Sequence, residues 1–243
     1  MLIRDGESGI EVFLQRRVLG MAFAGGMTVF PGGGVDKSDA DVNLDWAGPP
    51  VAWWAKRFRT TEPVAKALVC AAVRETFEEC GVLLAGPSAD SVVEDSAQFH
   101  TARGELERRE LSLSAFLARE ELVLRADLLR PWANWITPVG ESRRYDTRFF
   151  VAVAPDGQKA DDRTSEAADA VWATPAAALA EFDRKERVMM PPTWVQLDAL
   201  RRYDRCADVL AVEPDIEPIQ PTLRIDGASA SVDIPGRGEF RIG

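Results

Sequence analysis

The segment from Thr61 to Gly81 constrains the fold of this chain more than any other. It predicts a helix over 62–80, because Thr61 can cap the start, Pro63 suits the first turn and Gly81 can end it. Near its end, three glutamates are spaced i, i+3 and i+4, so that their carboxylates emerge on one face: Glu75, Glu78 and Glu79. Like charges at these spacings repel one another. The face is therefore either a solvated acidic surface, in which Arg74 pairs with Glu78, or a site for a hard cation such as Mg²⁺ or Mn²⁺.

A glycine-rich turn upstream favours the second interpretation. The run Phe30-Pro-Gly-Gly-Gly34 lets backbone atoms approach a metal or phosphate that a side chain would block, although it also suits an ordinary hairpin turn. No Gly-Lys-Ser/Thr follows these glycines, and neither the Rossmann glycine spacing nor a Gly-x-Ser-x-Gly elbow occurs. A phosphate-binding loop, a dinucleotide fold and an α/β-hydrolase nucleophile are therefore not predicted.

Together the turn and the helix resemble the Nudix box. Its pattern is Gly, five residues, Glu, seven residues and then Arg-Glu-U-x-Glu-Glu-x-Gly-U, where U is bulky and aliphatic. The second half matches from Arg74 to Val82, and Thr76 at a U position is a departure. The first half fits when Gly33 is the box glycine, which places Asp39 at the position of the first Glu. Between Asp39 and Arg74 lie 34 residues instead of seven, so 27 (34 less seven) are inserted.

Further segments resemble one branch of the Nudix superfamily, formed by mammalian peroxisomal coenzyme A diphosphatases and their bacterial relatives. The matching phrases are Phe13-Leu-Gln-Arg16, Val29-Phe-Pro-Gly-Gly33, Trp135-Ile-Thr-Pro138, Arg143-Arg-Tyr-Asp-Thr-Arg-Phe-Phe150 and Met190-Pro-Pro-Thr193. The coenzyme A signature upstream of the box is only partly met, because Gly26 is present but Ala22 stands in place of an arginine. The resemblance implies a Nudix-like α/β/α sandwich with a mixed sheet, and metal-dependent cleavage of a nucleoside-linked diphosphate. Coenzyme A or acyl-CoA would yield 3′,5′-ADP and a phosphopantetheine.

The rest of the chain agrees with a mixed α/β class. Strands are predicted at 10–16, 28–30, 82–84, 135–137, 148–153 and 170–173. Further helices are predicted at 113–120, 174–182 and 192–202, and the polar stretch 86–110 is predicted to be mostly loop with a helical piece. We expect one Nudix domain over 1–208 with an insertion at about 40–61. A proline-spaced, weakly β-like extension over 209–243 would follow it.

The resemblance also implies roles for the box residues. The metal ligands would be the backbone carbonyl of Gly33 and the carboxylates of Glu75, Glu78 and Glu79. Glu75 could instead orient the attacking water, and Arg74 is expected to fix Glu75 or Glu79 rather than touch the substrate. The general base would be one of these glutamates or Glu166, which lies in the polar loop before the 170–173 strand. For Glu166, a solvated loop carboxylate is the alternative.

Two groups of residues outside the box are candidates for substrate binding. Three arginines flank the 148–153 strand and can clamp phosphates: Arg143, Arg144 and Arg148. Their alternative is a strand-edge role or an ion pair with Asp146. The insertion offers rings that can stack on an adenine and cations for a phosphate: Trp53, Trp54, Lys56, Arg57 and Arg59. The alternative is an amphipathic helix that packs its aromatic side chains.

Charge and cysteine content narrow the partners. With 39 Asp and Glu against 29 Lys and Arg, the formal net charge is −10, which argues against nucleic acid and anionic membranes as partners. A small diphosphate that arrives with a divalent cation is compatible with this charge. The lone His100 and three cysteines are too few for a closed zinc site, and the odd cysteine count indicates a reducing compartment. A cytoplasmic location is therefore expected, and family resemblance leaves a homodimer open.

Three functions remain in competition. The leading one is a Nudix diphosphatase acting on coenzyme A derivatives. The second keeps the chemistry but changes the substrate to ADP-ribose, NADH or a nucleotide sugar. The third is a non-catalytic Nudix-fold binding module, which the retention of three helix carboxylates and the glycine turn disfavours.

Overall fold

The computed structural model of the chain describes residues 1–20, 24–40, 44–226 and 229–242. Ala22, which departs from the coenzyme A signature, and residues 41–43 of the predicted insertion lie outside the described residues. Within these ranges, no helix combines the length and the apolar character that a membrane span needs.

Strands and helices are named in chain order. The strands are β1 (Leu2–Gly6), β2 (Gly9–Arg17), β3 (Thr28–Val29), β4 (Trp46–Ala47), β5 (Ala85–Gly86), β6 (Val123–Arg125), β7 (Leu129–Ile136), β8 (Asp146–Val153), β9 (Ala167–Ala173), β10 (Pro218–Ile219), β11 (Thr222–Asp226), β12 (Ser229–Ile234) and β13 (Gly238–Ile242). The helices are α1 (Val51–Phe58), α2 (Glu62–Cys80), α3 (His100–Glu107), α4 (Leu113–Arg119), α5 (Pro175–Asp183), α6 (Pro191–Leu200) and α7 (Cys206–Leu210).

A mixed sheet of seven strands forms the centre of the fold. Six strands follow the order β10-β7-β8-β1-β2-β3, and β9 pairs with β2. The pairs β1–β8 and β7–β10 are parallel, and the other pairs are antiparallel. At Val12, β2 pairs with β1 and β9 on its two edges. Because β9 also occupies one edge at Gln15 and Arg16, β3 joins the edge that β1 uses, and the glycine turn emerges just after β3.

Helices cover both faces of this sheet. The alternation in β2 behaves as predicted, since Ile10, Val12 and Leu14 lie in one hydrophobic cluster and Phe13 in another. The Phe13 side packs against α1 and α2, whereas the Val12 side packs against α5, α6 and α7. The predicted α/β/α sandwich is therefore confirmed.

Helix α2 has the predicted bounds, and most of its residues are buried. Gly81 ends it with a left-handed φ of 73°, and its N–H donates to the carbonyl of Phe77. Thr61 occupies the N-cap position with an extended backbone, but its side chain makes no capping hydrogen bond. The local signals thus place the helix correctly, although the cap itself is weaker than expected.

The insertion is ordered where it is described. It contributes β4 and α1, and α1 packs against α2. Trp54 and Phe58 are buried and contact Phe150 of the central sheet, with ring centroids 5.9 and 5.1 Å away. β4 joins β6 and β5 in a small separate sheet. The insertion therefore adds a helix to one layer of the sandwich.

The predicted strand at 82–84 is wrong. This apolar segment is fully buried, but it forms no strand, and its central residue pairs with the side-chain amide of Gln158. The N–H of Leu83 donates to Oε1 of Gln158 at 2.8 Å, and Nε2 of Gln158 donates to the carbonyls of Leu83 and Val93 at 3.0 and 2.7 Å. Gln158 thus satisfies the backbone groups of Leu83, while the carbonyl of Leu84 accepts from the N–H of Arg125 in β6 at 3.0 Å.

The C-terminal extension forms its own antiparallel sheet of β11, β12 and β13. Val232 and Ile234 of this sheet are buried against Trp135 of β7 and Val195 of α6. Before it, β10 adds two residues to the edge of the central sheet beside β7. The weakly β-like prediction for this region is correct.

Candidate active site

The glycine turn lies directly against the end of α2. The N–H of Gly32 donates to Oε2 of Glu79 at 2.8 Å. A Cβ placed on Gly33 would lie 2.6 Å from both carboxylate oxygens of Glu75, so that only glycine leaves room for that carboxylate. From the other side, Nε2 of Gln15 in β2 donates to the main-chain oxygen of Glu79 at 2.8 Å. The turn, β2 and α2 therefore form one rigid corner.

Arg74 joins the two halves of the interrupted box. Its Nε and Nη2 donate to the two carboxylate oxygens of Asp39, each at 2.9 Å, and the Asp39 side chain has no exposed surface. Its Nη1 lies 2.9 Å from Glu75 and 3.1 Å from Glu78, and its Nη2 also donates to the carbonyl of Gly34 at 2.8 Å. Such a bidentate, charge-assisted pair fixes geometry strongly. Arg74 thus contacts Glu75, as expected, and Glu78, while the turn holds Glu79.

Burial of three carboxylates beside one arginine raises their pKa values. Burial raises the pKa of Glu75 to about 7 despite the neighbouring Arg74, and the charges on Glu78 and Glu166 add to the effect. Burial likewise raises the pKa of Glu79 to about 8, against the hydrogen bond from Gly32. The pKa of Glu78 is also raised by burial, with Arg74 opposing the shift. A group of this kind favours protons, or a bound cation, at neutral pH.

The donor set suits a hard divalent cation. The three glutamates of α2 and the backbone of Gly33 line one pocket, and all of them offer oxygen. Gly33 must lack a side chain for the Glu75 carboxylate to stay there. Among the described residues, however, no three of His, Cys, Asp and Glu are already arranged around one point. Arg74 holds Glu75 and Glu78 in their present positions. The residues therefore fit such a cation in chemistry and share one pocket, although they are not already grouped around a single point.

Four residues outside the box complete the pocket: Glu107, Arg109, Thr164 and Glu166. The predicted Glu166 is thus placed beside the α2 carboxylates, where Nη2 of Arg17 donates to its Oε2 at 2.8 Å. Glu107 and Arg109 were not predicted, since they lie in the polar stretch 86–110, which carries no motif. Asp39 was predicted as the box acid, but not as the partner of Arg74.

The candidates from the insertion lie elsewhere. Trp54 has no exposed surface and packs in the core, so the predicted stacking of Trp54 on an adenine is wrong. Trp53 and Arg57 line a second groove with the start of β7 and residues 210–213. There, the Arg57 guanidinium lies 5.8 Å from the Trp53 ring and donates to the carbonyl of Pro214 at 2.6 Å. Lys56 is exposed, and Arg59 pairs with Asp215.

The three arginines of the β7–β8 region are also separate from the pocket. Arg143 and Arg144 are exposed in the loop before β8, and Arg144 donates to the carbonyl of Thr137 at 3.3 Å. Arg148 pairs with Asp146, which is the alternative that the sequence left open. In the described part of the chain, the lining of the carboxylate pocket includes none of these three arginines and none of Trp53, Trp54 and Arg57.

Comparison with known families decides the relationship. A family model described as the NUDT19 Nudix domain matches residues 49–202, which is more than half of the chain. The chain belongs to this Nudix family. The match starts inside the insertion and does not include the first half of the box. The assignment of that first half therefore depends on the contact between Asp39 and Arg74.

Individual relatives agree with the family. The chain is 25% identical to an acyl-coenzyme A diphosphatase NUDT19 from Xenopus laevis and 28% identical to one from Gallus gallus. These matches cover 82% and 84% of this chain, but 62% and 64% of the relatives. The chain therefore spans slightly less than two thirds of the length of these two relatives. A crystal structure of a Nudix hydrolase from Alicyclobacillus acidocaldarius superimposes with a TM-score of 0.69 at 27% identity, over 88% of this chain and 94% of that one.

Proposed function

We propose that the chain is a metal-dependent diphosphatase that cleaves a nucleoside-diphosphate-linked substrate. The observation that carries this proposal is the pocket that joins three carboxylates of α2, two buried and one partly buried, to the glycine turn, with Arg74 between them and Asp39. Coenzyme A or acyl-CoA is the favoured substrate, with 3′,5′-ADP and (acyl-)phosphopantetheine as products. The names of the frog and chicken relatives support this choice.

The α2 carboxylates and the turn would hold the metal. Glu75, Glu78 and Glu79, with the backbone carbonyl of Gly33, would supply oxygen ligands to Mg²⁺ or Mn²⁺. When bound, such a cation neutralises the diphosphate oxygens and lowers the pKa of the attacking water. Arg74 contributes by fixing Glu75 and Glu78, and its partners leave it no free hydrogen-bonding edge toward a substrate.

Proton transfer would fall to a carboxylate of the same pocket. Glu166 lines the same pocket as the α2 carboxylates, and its ion pair with Arg17 uses Oε2, so Oε1 is the atom proposed to accept the proton of the water. Glu75, whose pKa burial raises to about 7, is the alternative acceptor, because a base works best with a pKa near the working pH. In either case the base lies within the metal pocket.

Two other functions remain as alternatives to the coenzyme A diphosphatase. A change of substrate to ADP-ribose, NADH or a nucleotide sugar would use the same residues, because the roles proposed for them concern the diphosphate that all these compounds share. A non-catalytic binding module is disfavoured, because raised carboxylate pKa values are typical of reaction sites. A cytoplasmic location, a homodimer and the exclusion of nucleic acid and membrane partners stay predictions.

A panel of substrates separates these functions. The protein is incubated with Mg²⁺ or Mn²⁺ and with coenzyme A, acetyl-CoA, ADP-ribose, NADH or a nucleotide sugar, and products are identified by mass. We expect 3′,5′-ADP from coenzyme A. AMP from ADP-ribose with coenzyme A untouched would refute the favoured substrate but keep the diphosphatase. No turnover of any compound with either metal would refute the diphosphatase proposal for this panel.

A further inference from the structure

Helix α3 lies outside the Nudix box, yet it contacts the site through two side chains one turn apart. Nε of Arg103 donates to the main-chain oxygen of Glu78 at 3.0 Å, and its Nη1 pairs with Asp161 at 2.7 Å. Glu107, four residues later on the same helix face, lines the carboxylate pocket. The helix is therefore tied both to α2 and to the segment that precedes β9.

Glu107 gathers three hydrogen bonds on a single oxygen. Its Oε1 accepts from the N–H of Ser165 at 2.9 Å, from Oγ of Ser165 at 2.7 Å and from Oγ1 of Thr164 at 3.4 Å. Although partial burial opposes ionisation, these bonds hold the pKa of Glu107 below its usual value. An ionised acceptor makes the shorter bonds charge-assisted and hence strong.

The segment 161–166 is consequently held at both ends. Asp161 is fixed by Arg103 and by its own N–H, which donates to the carbonyl of Cys80 at 3.0 Å. Thr164 and Ser165 are fixed by Glu107, and Glu166 follows immediately. The segment has no helix or strand of its own, so these contacts hold the chain that leads into Glu166, whose carbonyl accepts from the N–H of Val18 at 3.0 Å and whose carboxylate pairs with Arg17.

We propose that Glu107 is a positioning residue, which holds the 164–166 segment so that the Glu166 carboxylate faces the carboxylates of α2. This role rests on the proposed diphosphatase function and gives Glu166 its fixed place in it. Glu107 acts through Ser165 and Thr164, since its bonds are to them. Displacement of a reacting group by about 1 Å can cost on the order of 100-fold in rate.

Three variants test this role. Glu107→Ala removes the acceptor, and we expect kcat on the best substrate of the panel to fall roughly 10- to 100-fold, with the Mg²⁺ dependence and KM changed less than about threefold. Glu107→Gln keeps an oxygen at the same place and should retain turnover within a few-fold of wild type. Glu105→Ala removes the same charge from α3, where Glu105 pairs with Arg119 on the surface, and should behave as wild type. Equal losses in Glu107→Gln and Glu107→Ala would contradict the role of the acceptor oxygen.

A double variant decides whether the effect runs through Glu166. If Glu107 acts by positioning Glu166, then Glu107→Ala should cost little further in a Glu166→Gln background. Additive losses would overturn the proposal, and so would turnover at the wild-type level in Glu166→Gln alone.

Amide hydrogen exchange keeps the test independent of turnover. In Glu107→Ala, the amides of 163–168 should lose protection by at least about tenfold, whereas Glu105→Ala should leave them unchanged. Unchanged protection in Glu107→Ala would overturn the proposal even if activity falls. Absence of wild-type turnover would instead refute the proposed function, and the exchange comparison would still decide whether Glu107 orders the segment.

Discussion

At Gly33 the absence of a side chain is what lets the turn lie against Glu75. A Cβ there would stand 2.6 Å from both carboxylate oxygens, whereas a Cβ on Gly34 would meet nothing within 4 Å. We therefore expect Gly33→Ala to displace the Glu75 carboxylate and to lower turnover by roughly 10- to 100-fold, while the unfolding free energy changes by only about 1 kcal/mol, because the atoms that must move are the end of a flexible side chain. Gly34→Ala is the matched control, and kinetics with chemical denaturation measure both variants. If the two alanines behaved alike, the close contact would have no functional weight.

Removal of the charge of Glu78 should do little damage to the fold. Its pKa is raised by burial, so its ionised form is already disfavoured, and Arg74 keeps its bonds to Asp39 and Glu75. Glu78→Gln should therefore change the unfolding free energy by no more than about 1 kcal/mol. Turnover should fall by at least about 100-fold, because a ligand for the charge-neutralising cation is lost. Turnover near the wild-type level would refute the assigned metal site.

At the scale of helix α2, the raised pKa values of its carboxylates make stability depend on pH. Burial raises the pKa of Glu75 to about 7 and that of Glu79 to about 8, from an ordinary value of 4.5. The folded chain thus keeps protons that the unfolded chain has released. Their contribution to stability is fully present below about pH 4.5 and is lost as pH rises through 7 to 8. In EDTA, we expect Tm to fall over this window.

Metal addition and a double variant complete this experiment. Mg²⁺ binds ionised carboxylates, so it should raise Tm more at pH 8.5 than at pH 5.5. Glu75→Gln with Glu79→Gln should flatten the EDTA profile, since the titrating groups are gone. A wild-type profile in EDTA as flat as that of the double variant would contradict the assigned pKa shifts.

The two halves of the box stay together despite the insertion, because Asp39 of the first half pairs with Arg74 of the second half. Asp39→Asn leaves one acceptor oxygen instead of two, and it removes the negative charge that pairs with the buried guanidinium of Arg74. We expect a loss of about 1.5–3 kcal/mol of unfolding free energy and a lower turnover, since Arg74 also fixes Glu75 and Glu78. Asp45→Asn, at an exposed position of the same insertion, should stay within about 0.5 kcal/mol of wild type in urea unfolding. Equal stabilities would argue against the clasp.

Elements with complete local signals could be predicted from the sequence, and those shaped by distant partners could not. Helix α2 has the predicted bounds, because its proline, its apolar spacing and its closing glycine are local. Strand β7 begins at Leu129, whereas the sequence predicts a start at 135, because a proline such as Pro131 argues against a strand. Pro131 is tolerated because it lies at an irregularity in the register between β7 and β8. The apolar run 82–84 is not a strand, because the side chain of Gln158, far along the chain, takes both backbone groups of Leu83 at its centre.

The same division holds for the site. Glu75, Glu78, Glu79 and Gly33 belong to a motif whose spacing is visible in the sequence, and they meet in one pocket. Glu107 could not be found, because only the packing of α3 brings it to the 164–166 segment. Trp54 was misassigned because an aromatic-basic run suits both a ligand surface and a buried helix face, and the choice depends on Phe150 across the sheet.

At the scale of the whole molecule, the carboxylate pocket shares the excess of acidic over basic residues that the chain has. Among the described residues that line the pocket, five are glutamates and two are arginines: Glu75, Glu78, Glu79, Glu107 and Glu166, with Arg74 and Arg109. Arg74 is fully engaged with Asp39, Glu75 and Glu78, and Arg109 lies 3.3 Å from Asp36. A diphosphate would meet strong repulsion in such a pocket. Under the proposed function, we therefore expect binding of the substrate, as well as the reaction, to need divalent cations.

The C-terminal sheet packs against α5 and α6, and its described residues lie outside the lining of the carboxylate pocket. Phe240 of β13 lies between Phe182 of α5 and Trp194 of α6, with ring centroids 5.7 and 5.9 Å apart, and no described residue of β11–β13 lines the pocket. Because Phe240 is only partly buried, Phe240→Ala should cost about 1–3 kcal/mol of unfolding free energy, less than a fully buried phenylalanine. Val139→Ala, which trims an exposed apolar side chain, should stay within about 0.5 kcal/mol. Turnover per folded molecule should be unchanged in both variants, so a fall in kcat with undiminished stability in Phe240→Ala would mean that the extension takes part in substrate binding.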